Sequence, residues 1–122
     1  MTELTLQQKA DYLAEHLLGW TLEYSSSYLQ ECWFRHYDNG SKQVCKLARE
    51  WHPQHDISHC FQYIVSAMNE LHYTLHAHTD RYGSLAEFVK YIDGSWNELR
   101  SSKKAKLLST AIVEAAYAAI EK

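Results

Sequence analysis

The chain carries one proline, Pro53, and four glycines, Gly19, Gly40, Gly83 and Gly94, in 122 residues. So little breaker chemistry leaves no Pro- or Gly-rich linker and excludes a collagen-like or low-complexity chain. No apolar run approaches the about 20 residues that a membrane span requires. The opening stretch, Met1 to Lys9, has neither the apolar core nor the small-residue cleavage site of a secretory signal. Cysteine is scarce and odd in number (Cys32, Cys45 and Cys60), which predicts free thiols in a reducing compartment. A cytoplasmic protein is therefore expected. Positive charge is not in excess either: 12 Lys and Arg face 15 Asp and Glu, for a net −3. No global field draws such a chain to nucleic acid or to an anionic membrane. Gly-x-Ser-x-Gly, phosphate-loop and Gly-x-Gly-x-x-Gly strings are missing, and with them the usual signatures of hydrolase, nucleotidase and dinucleotide chemistry.

What the chain does contain is apolar material for one core: 46% of residues are hydrophobic and 13% aromatic. Length and composition predict a single domain over residues 1–122. Leu6, Ala10, Leu13 and Leu17 recur at helical spacing, with Thr5 and Gln8 placed as a capping box and Gly19 where a helix stops. This predicts a helix from Thr5 to Leu18. Asn39-Gly40 lies between two runs of alternating character and predicts a hairpin with a two-residue type I′ turn. Asp38 then faces Ser41. Cys32, Phe34 and His36 would share a core face with Gln43, Cys45 and Leu47, leaving Trp33, Arg35, Tyr37, Lys42, Val44 and Lys46 on the other.

Asp56 is a good N-cap for a second helix, with Ile57, Cys60, Phe61, Ile64, Met68 and Leu71 on its inward stripe to about Glu70. From Leu71 to Thr79 the period becomes two, a half-buried strand with His72, His76 and His78 on one face. A turn at Asp80–Gly83 and a second strand over Ala86–Ile92 complete another hairpin, ended by Asp93-Gly94. A last helix is expected from Lys103 to Glu121. The predicted fold class is α+β, in the order α-ββ-α-ββ-α. One mostly antiparallel four-stranded sheet packed with three helices, an α/β/α sandwich, satisfies that order.

Three local strings resemble the phage ABA sandwich domain family. They are Leu13-Ala-Glu-His-Leu-Leu-Gly-Trp20, Trp51-His-Pro-Gln-His-Asp-Ile57 and Thr110-Ala-Ile-Val-Glu-Ala-Ala116. Gln54 stands where that family usually has serine, and residues 80–100 match its pattern poorly. The resemblance implies a bacteriophage or prophage origin and a sandwich fold. It implies no reaction, since the family has no general assigned activity and fold does not carry function.

Eight histidines invite a metal reading, above all His52-x-x-His55-x-x-x-His59-Cys60. Pro53 and the N-cap at Asp56 put His52 and His55 outside the helix, and no recognised zinc spacing is present. The strand histidines read as a solvent-facing surface. All three cysteines fall on expected core faces, where the thiol is a small inert hydrophobe. Neither metal nor cofactor is expected, and a non-catalytic protein is. The remaining feature is the hairpin face of Trp33, Arg35, Tyr37, Lys42 and Lys46. Aromatic and cationic groups together anchor protein interfaces or hold nucleotides by stacking and charge.

The expectation is a small phage-encoded binding protein that blocks a host protein, plausibly one used in antiviral defence. The alternative is a sponge for a nucleotide or cyclic-nucleotide signal. A metal-binding protein or enzyme stands third. A homodimer is the commonest assembly for such a chain.

Overall fold

The computed structural model describes residues 4–92 and 95–121, and the side chains of residues 4–90 and 103–121. Elements follow in the order α1 (Leu6–His16), β1 (Thr21–Ser25), β2 (Gln30–His36) and β3 (Lys42–Leu47), then short 3₁₀ turns at Ala48–Glu50 and Pro53–His55. A helical rod comes next, made of α2 (Ile57–His59), a π-helical stretch (Cys60–Val65) and α3 (Ser66–Glu70). The chain ends with β4 (Tyr73–Asp80), β5 (Gly83–Ile92), β6 (Ser95–Ala105) and α4 (Leu108–Ile120). Among the described residues no helix is long and apolar enough to cross a membrane.

The chain is α+β, but its strands form two three-stranded antiparallel sheets, β1-β2-β3 and β4-β5-β6, not one four-stranded sheet. Two strands escaped the sequence reading. β1 alternates Thr21, Glu23 and Ser25 with Leu22 and Tyr24, a short polar-rich pattern that reads as a connector. β6 is rich in serine and charge, and takes over Lys103–Ala105 from the expected last helix, which starts instead at Leu108. The expected strand over Ala86–Ile92 is present within β5. The Asp93-Gly94 stop lies outside the described residues. His72 belongs to the turn before β4, with φ +71, and so leaves the strand face that His76 and His78 share.

α1 begins as its sequence requires. Thr5 Oγ1 accepts from Gln8 N at 3.1 Å and Gln8 Oε1 accepts from Thr5 N at 2.8 Å, the reciprocal capping box. Its stripe of Ala10, Leu13 and Ala14 is fully buried. α1 packs on α4, and α4 on β5 and β6. Lys9 Nζ donates to Glu114 Oε1 at 2.9 Å, tying the two helices through a largely buried ion pair. In the rod, Cys60, Ile64 and Met68 of the expected stripe are fully buried, whereas Ile57, Phe61 and Leu71 stand partly in solvent. The wider π turn rotates the chain by part of a residue step, so Val65 turns inward and Phe61 outward.

The first hairpin corrects the expected register. Its loop is three residues long, closed by Tyr37 N donating to Ser41 O at 2.9 Å and by Gly40 N donating to Tyr37 O at 3.0 Å. Gly40 has positive φ and Asn39 does not, so the type I′ turn is not formed. His36 therefore pairs with Lys42, Arg35 with Gln43 and Phe34 with Val44, one step from the expected pairing. A bulge at Cys45 then restores the expected pairs, Trp33 with Lys46 and Cys32 with Leu47.

Candidate functional site

A groove of about 410 Å³ runs between the first sheet and the helical rod. One wall is Arg35, Gln43, Val44 and Cys45 on β2 and β3. The other is Gln62, Tyr63, Ser66, Ala67 and Glu70, a stripe at mostly helical spacing on the rod. Leu17, Leu18 and Trp20, after the end of α1, close one end. The π-helical stretch supplies Gln62 and Tyr63, and Ser66 Oγ donates back to Phe61 O at 3.0 Å where that stretch rejoins α3. Such π turns recur at functional sites because they re-aim side chains out of helical phase.

Beneath the groove lies a ring cluster. Trp20 meets Trp51 edge-on with centroids 5.1 Å apart, and Tyr63 packs edge-on against both. Trp51 is held by its indole N–H, which donates to Ala10 O at 2.9 Å. These rings present edges to one another, an arrangement favoured by the aromatic quadrupole.

The five hairpin residues singled out from the sequence do not stay together. Trp33 is 2% exposed and belongs to the main core, so it offers no ring to a ligand. Cys32 and Phe34 of the expected core face are buried as well, so β2 is covered on both faces there, and it is Trp33 that joins the main core. Arg35, on that same face, continues past the core into the groove. Its guanidinium sits 5.6 Å from the ring centroid of Tyr37, whose hydroxyl donates to Gln43 Oε1 at 2.7 Å. Lys46 places its Nζ 5.9 Å from the Tyr63 ring centroid. Lys42 is carried to the opposite face by the register change. There its Nζ donates to Glu23 Oε1 at 3.0 Å and lies 4.6 Å from the Phe34 ring centroid. His36 Nε2 stands 2.6 Å from Glu23 Oε2 on that same outer face.

The sequence reading missed Gln43, Gln62, Ser66 and Glu70. The last three were visible as a polar stripe beside Tyr63 on an otherwise apolar helix. Gln43 required the bulge.

The groove is electrostatically uneven. Among the described residues, neither Arg35 nor Lys46 has a carboxylate within ion-pair distance. Cys45 is half-buried, and burial pushes its thiol up, against the lowering effect of Arg35. Cys60 is pushed up to about 12 by burial, with the nearby Asp56 adding to it, and its Sγ points at Pro53 O, 3.0 Å away. All three cysteines carry free thiols.

His52 and His59 stack with ring centroids 6.1 Å apart, and His59 also stacks on Trp51. Among the described residues, the Nδ1 atoms of both histidines are buried without a hydrogen-bond partner. His55 is exposed. Among the described residues no three His, Cys, Asp or Glu side chains gather as a metal ion would need. Burial, and then the Lys46 charge, holds the His59 imidazole below its usual range.

Comparison with protein-family models, with curated proteins and with solved structures finds no match to this chain.

Proposed function

We propose that this is a non-catalytic binding protein whose groove between β2–β3 and the helical rod receives an acidic segment of a protein partner. The observation that carries the reading is the pair of cations on one sheet face, Arg35 and Lys46, without carboxylate partners among the described residues. Against the Glu70 carboxylate on the rod wall, these two cations leave the β2–β3 side of the groove positive and favour negative charge there. Gln43 and Gln62 add amides that both donate and accept, as a peptide backbone requires. Arginine and tyrosine at the rim are the residue types that anchor protein interfaces. Resemblance of three segments to the phage ABA sandwich family supports a phage origin. A host protein, blocked during infection in the host cytoplasm, is the partner class that follows.

The second reading is capture of a nucleotide or cyclic-nucleotide signal. The groove volume falls in the range of small-ligand sites, and Arg35 beside Tyr37 offers charge and one ring. Burial of Trp33 weighs against it, because the ring expected beside Tyr37 on the hairpin is not offered to a base.

A photo-crosslinking residue at Gln62 tests the first reading. It is expected to capture one host protein, and Arg35→Glu is expected to abolish the capture while the same probe at exposed Leu29 gives none. Calorimetry against mono- and cyclic nucleotides should be flat. Heat on nucleotide addition, lost in Arg35→Glu, would replace the first reading with the second.

A further inference from the structure

Among the described residues β4 forms one edge of the second sheet and pairs only with β5. An edge exposes a row of backbone N–H and C=O groups, and proteins normally blunt it with lysine, proline, a bulge, shortness or a cover. The first sheet is blunted in this way. β3 carries Lys42, Lys46 and the bulge at Cys45, and β1 is five residues long with Glu23 at its centre. β4 has none of these devices. It is eight residues long, and its ladder with β5 runs unbroken from Tyr73↔Lys90 to Asp80↔Gly83. It contains no lysine, arginine or proline, and His76 to Asp80 are all exposed among the described residues.

The strand is also chemically near-symmetric. About Ala77 the centre reads the same in both directions, His76-Ala-His78, and the flanking positions are uncharged out to Thr74 and Thr79. Laid antiparallel on a second copy about that residue, Ala77 meets Ala77, His76 meets His78, Leu75 meets Thr79 and Thr74 meets Asp80. No carboxylate meets a carboxylate and no ammonium meets an ammonium, so the edge is complementary to itself. An isologous contact of this kind closes after two copies and cannot propagate.

We infer that β4 is a homodimerisation edge, pairing antiparallel with β4 of a second copy about Ala77 to join the two β4-β5-β6 sheets into one. The surface is separate from the groove and does not depend on what the groove binds.

Sedimentation equilibrium over a dilution series tests it. The full chain is expected to pass from one copy to two as concentration rises, and Ala77→Lys, which sets two ammonium groups face to face, is expected to stay a single copy. Circular dichroism of Ala77→Lys should match the parent. If that variant loses its fold, oxidative crosslinking of Ala77→Cys in a background with Cys32, Cys45 and Cys60 replaced by serine or alanine takes its place. A disulfide-linked dimer is expected there, and none from Tyr82→Cys in the same background. A parent that stays a single copy at every concentration overturns the inference. So does a dimer that survives Ala77→Lys, or a Tyr82→Cys variant that crosslinks as well as Ala77→Cys.

Discussion

Lys46 and Tyr63 meet from the two sides of the groove, the ammonium nitrogen 5.9 Å from the ring centroid. Through this contact β3 is tied to the π-helical stretch, so the pair helps set the width of the site. A cation over an aromatic face at a partly exposed position contributes about 0.5–1 kcal/mol. A double-mutant cycle of Lys46→Met and Tyr63→Leu, read by urea unfolding, is expected to give a coupling near the lower figure. Strict additivity would show that the two side chains do not stabilise one another.

Trp33 and Arg35 are neighbours on one face of β2 with opposite fates, one in the core and the other in the groove. Trp33→Ala is expected to lower unfolding stability by about 3–5 kcal/mol, the cost of emptying a large aromatic site. Arg35→Ala should change it by less than about 0.5 kcal/mol, as for most surface substitutions, while removing binding. Guanidinium denaturation of both variants checks the contrast. Equal costs would contradict the burial of Trp33.

The His59 imidazole is held below its ordinary 6.5 first by burial and then by the Lys46 charge, with Asp56 opposing. A base lowered in the folded state binds its proton more readily when unfolded. The stability that follows is complete above about pH 6.5 and is lost as pH falls through the lowered folded value. His52, stacked on His59, and Glu50 share this surrounding. The urea midpoint of the parent should therefore fall on moving from pH 7 to pH 5, and His59→Phe should fall less. A parallel decline in both proteins would assign the effect elsewhere.

On the outer face of the first sheet, the Glu23 carboxyl is lowered from 4.5 to about 2 by hydrogen bonds from Thr21, Lys42 and His36. A carboxyl lowered on folding contributes stability above its unfolded value, and that contribution disappears as pH drops through about 2. Carboxyl carbon NMR should show Glu23 titrating well below the other glutamates. Thr21→Val and Lys42→Met should each move it upward. A Glu23 titration near 4.5 in the parent would mean that the cluster is not formed in solution.

Gly83, at the start of β5, has φ +137, and a Cβ there would stand 2.7 Å from Ala105 O. Gly83→Ala combines a strained backbone with a clash against the β6 main chain, and should cost more than about 1 kcal/mol. Gly40, at φ +88, has nothing within 4 Å of the same hypothetical atom, so Gly40→Ala carries the backbone strain alone. Thermal unfolding should rank Gly83→Ala clearly below Gly40→Ala. The reverse order would place β6 farther from the turn.

Much of the local architecture was legible residue by residue. Thr5 with Gln8 marked the start of α1, Asp56 marked the start of the rod, and its side chain does accept from His59 N at 3.2 Å. Alternation located β2 to β4, β5 followed as the hairpin partner of β4, and small apolar residues marked α4. The errors share a cause. β1 and β6 are too rich in polar residues for periodicity to reveal them, and their place is set by the neighbouring strand's hydrogen bonds.

Capping, helical stripes, strand alternation and the absence of catalytic and membrane signatures are written in the chain, because each depends on side chains a few residues apart. The inward face of the first hairpin is not. Alternation supplied two faces with comparable claims, Trp33 on one and Phe34 on the other; both rings are buried, and only packing against the rest of the molecule put Trp33 in the main core. The bulge at Cys45, the division into two sheets and the gathering of Arg35, Gln43 and Gln62 around one groove arise the same way, from contacts between segments far apart in sequence, whose free energies no local pattern records.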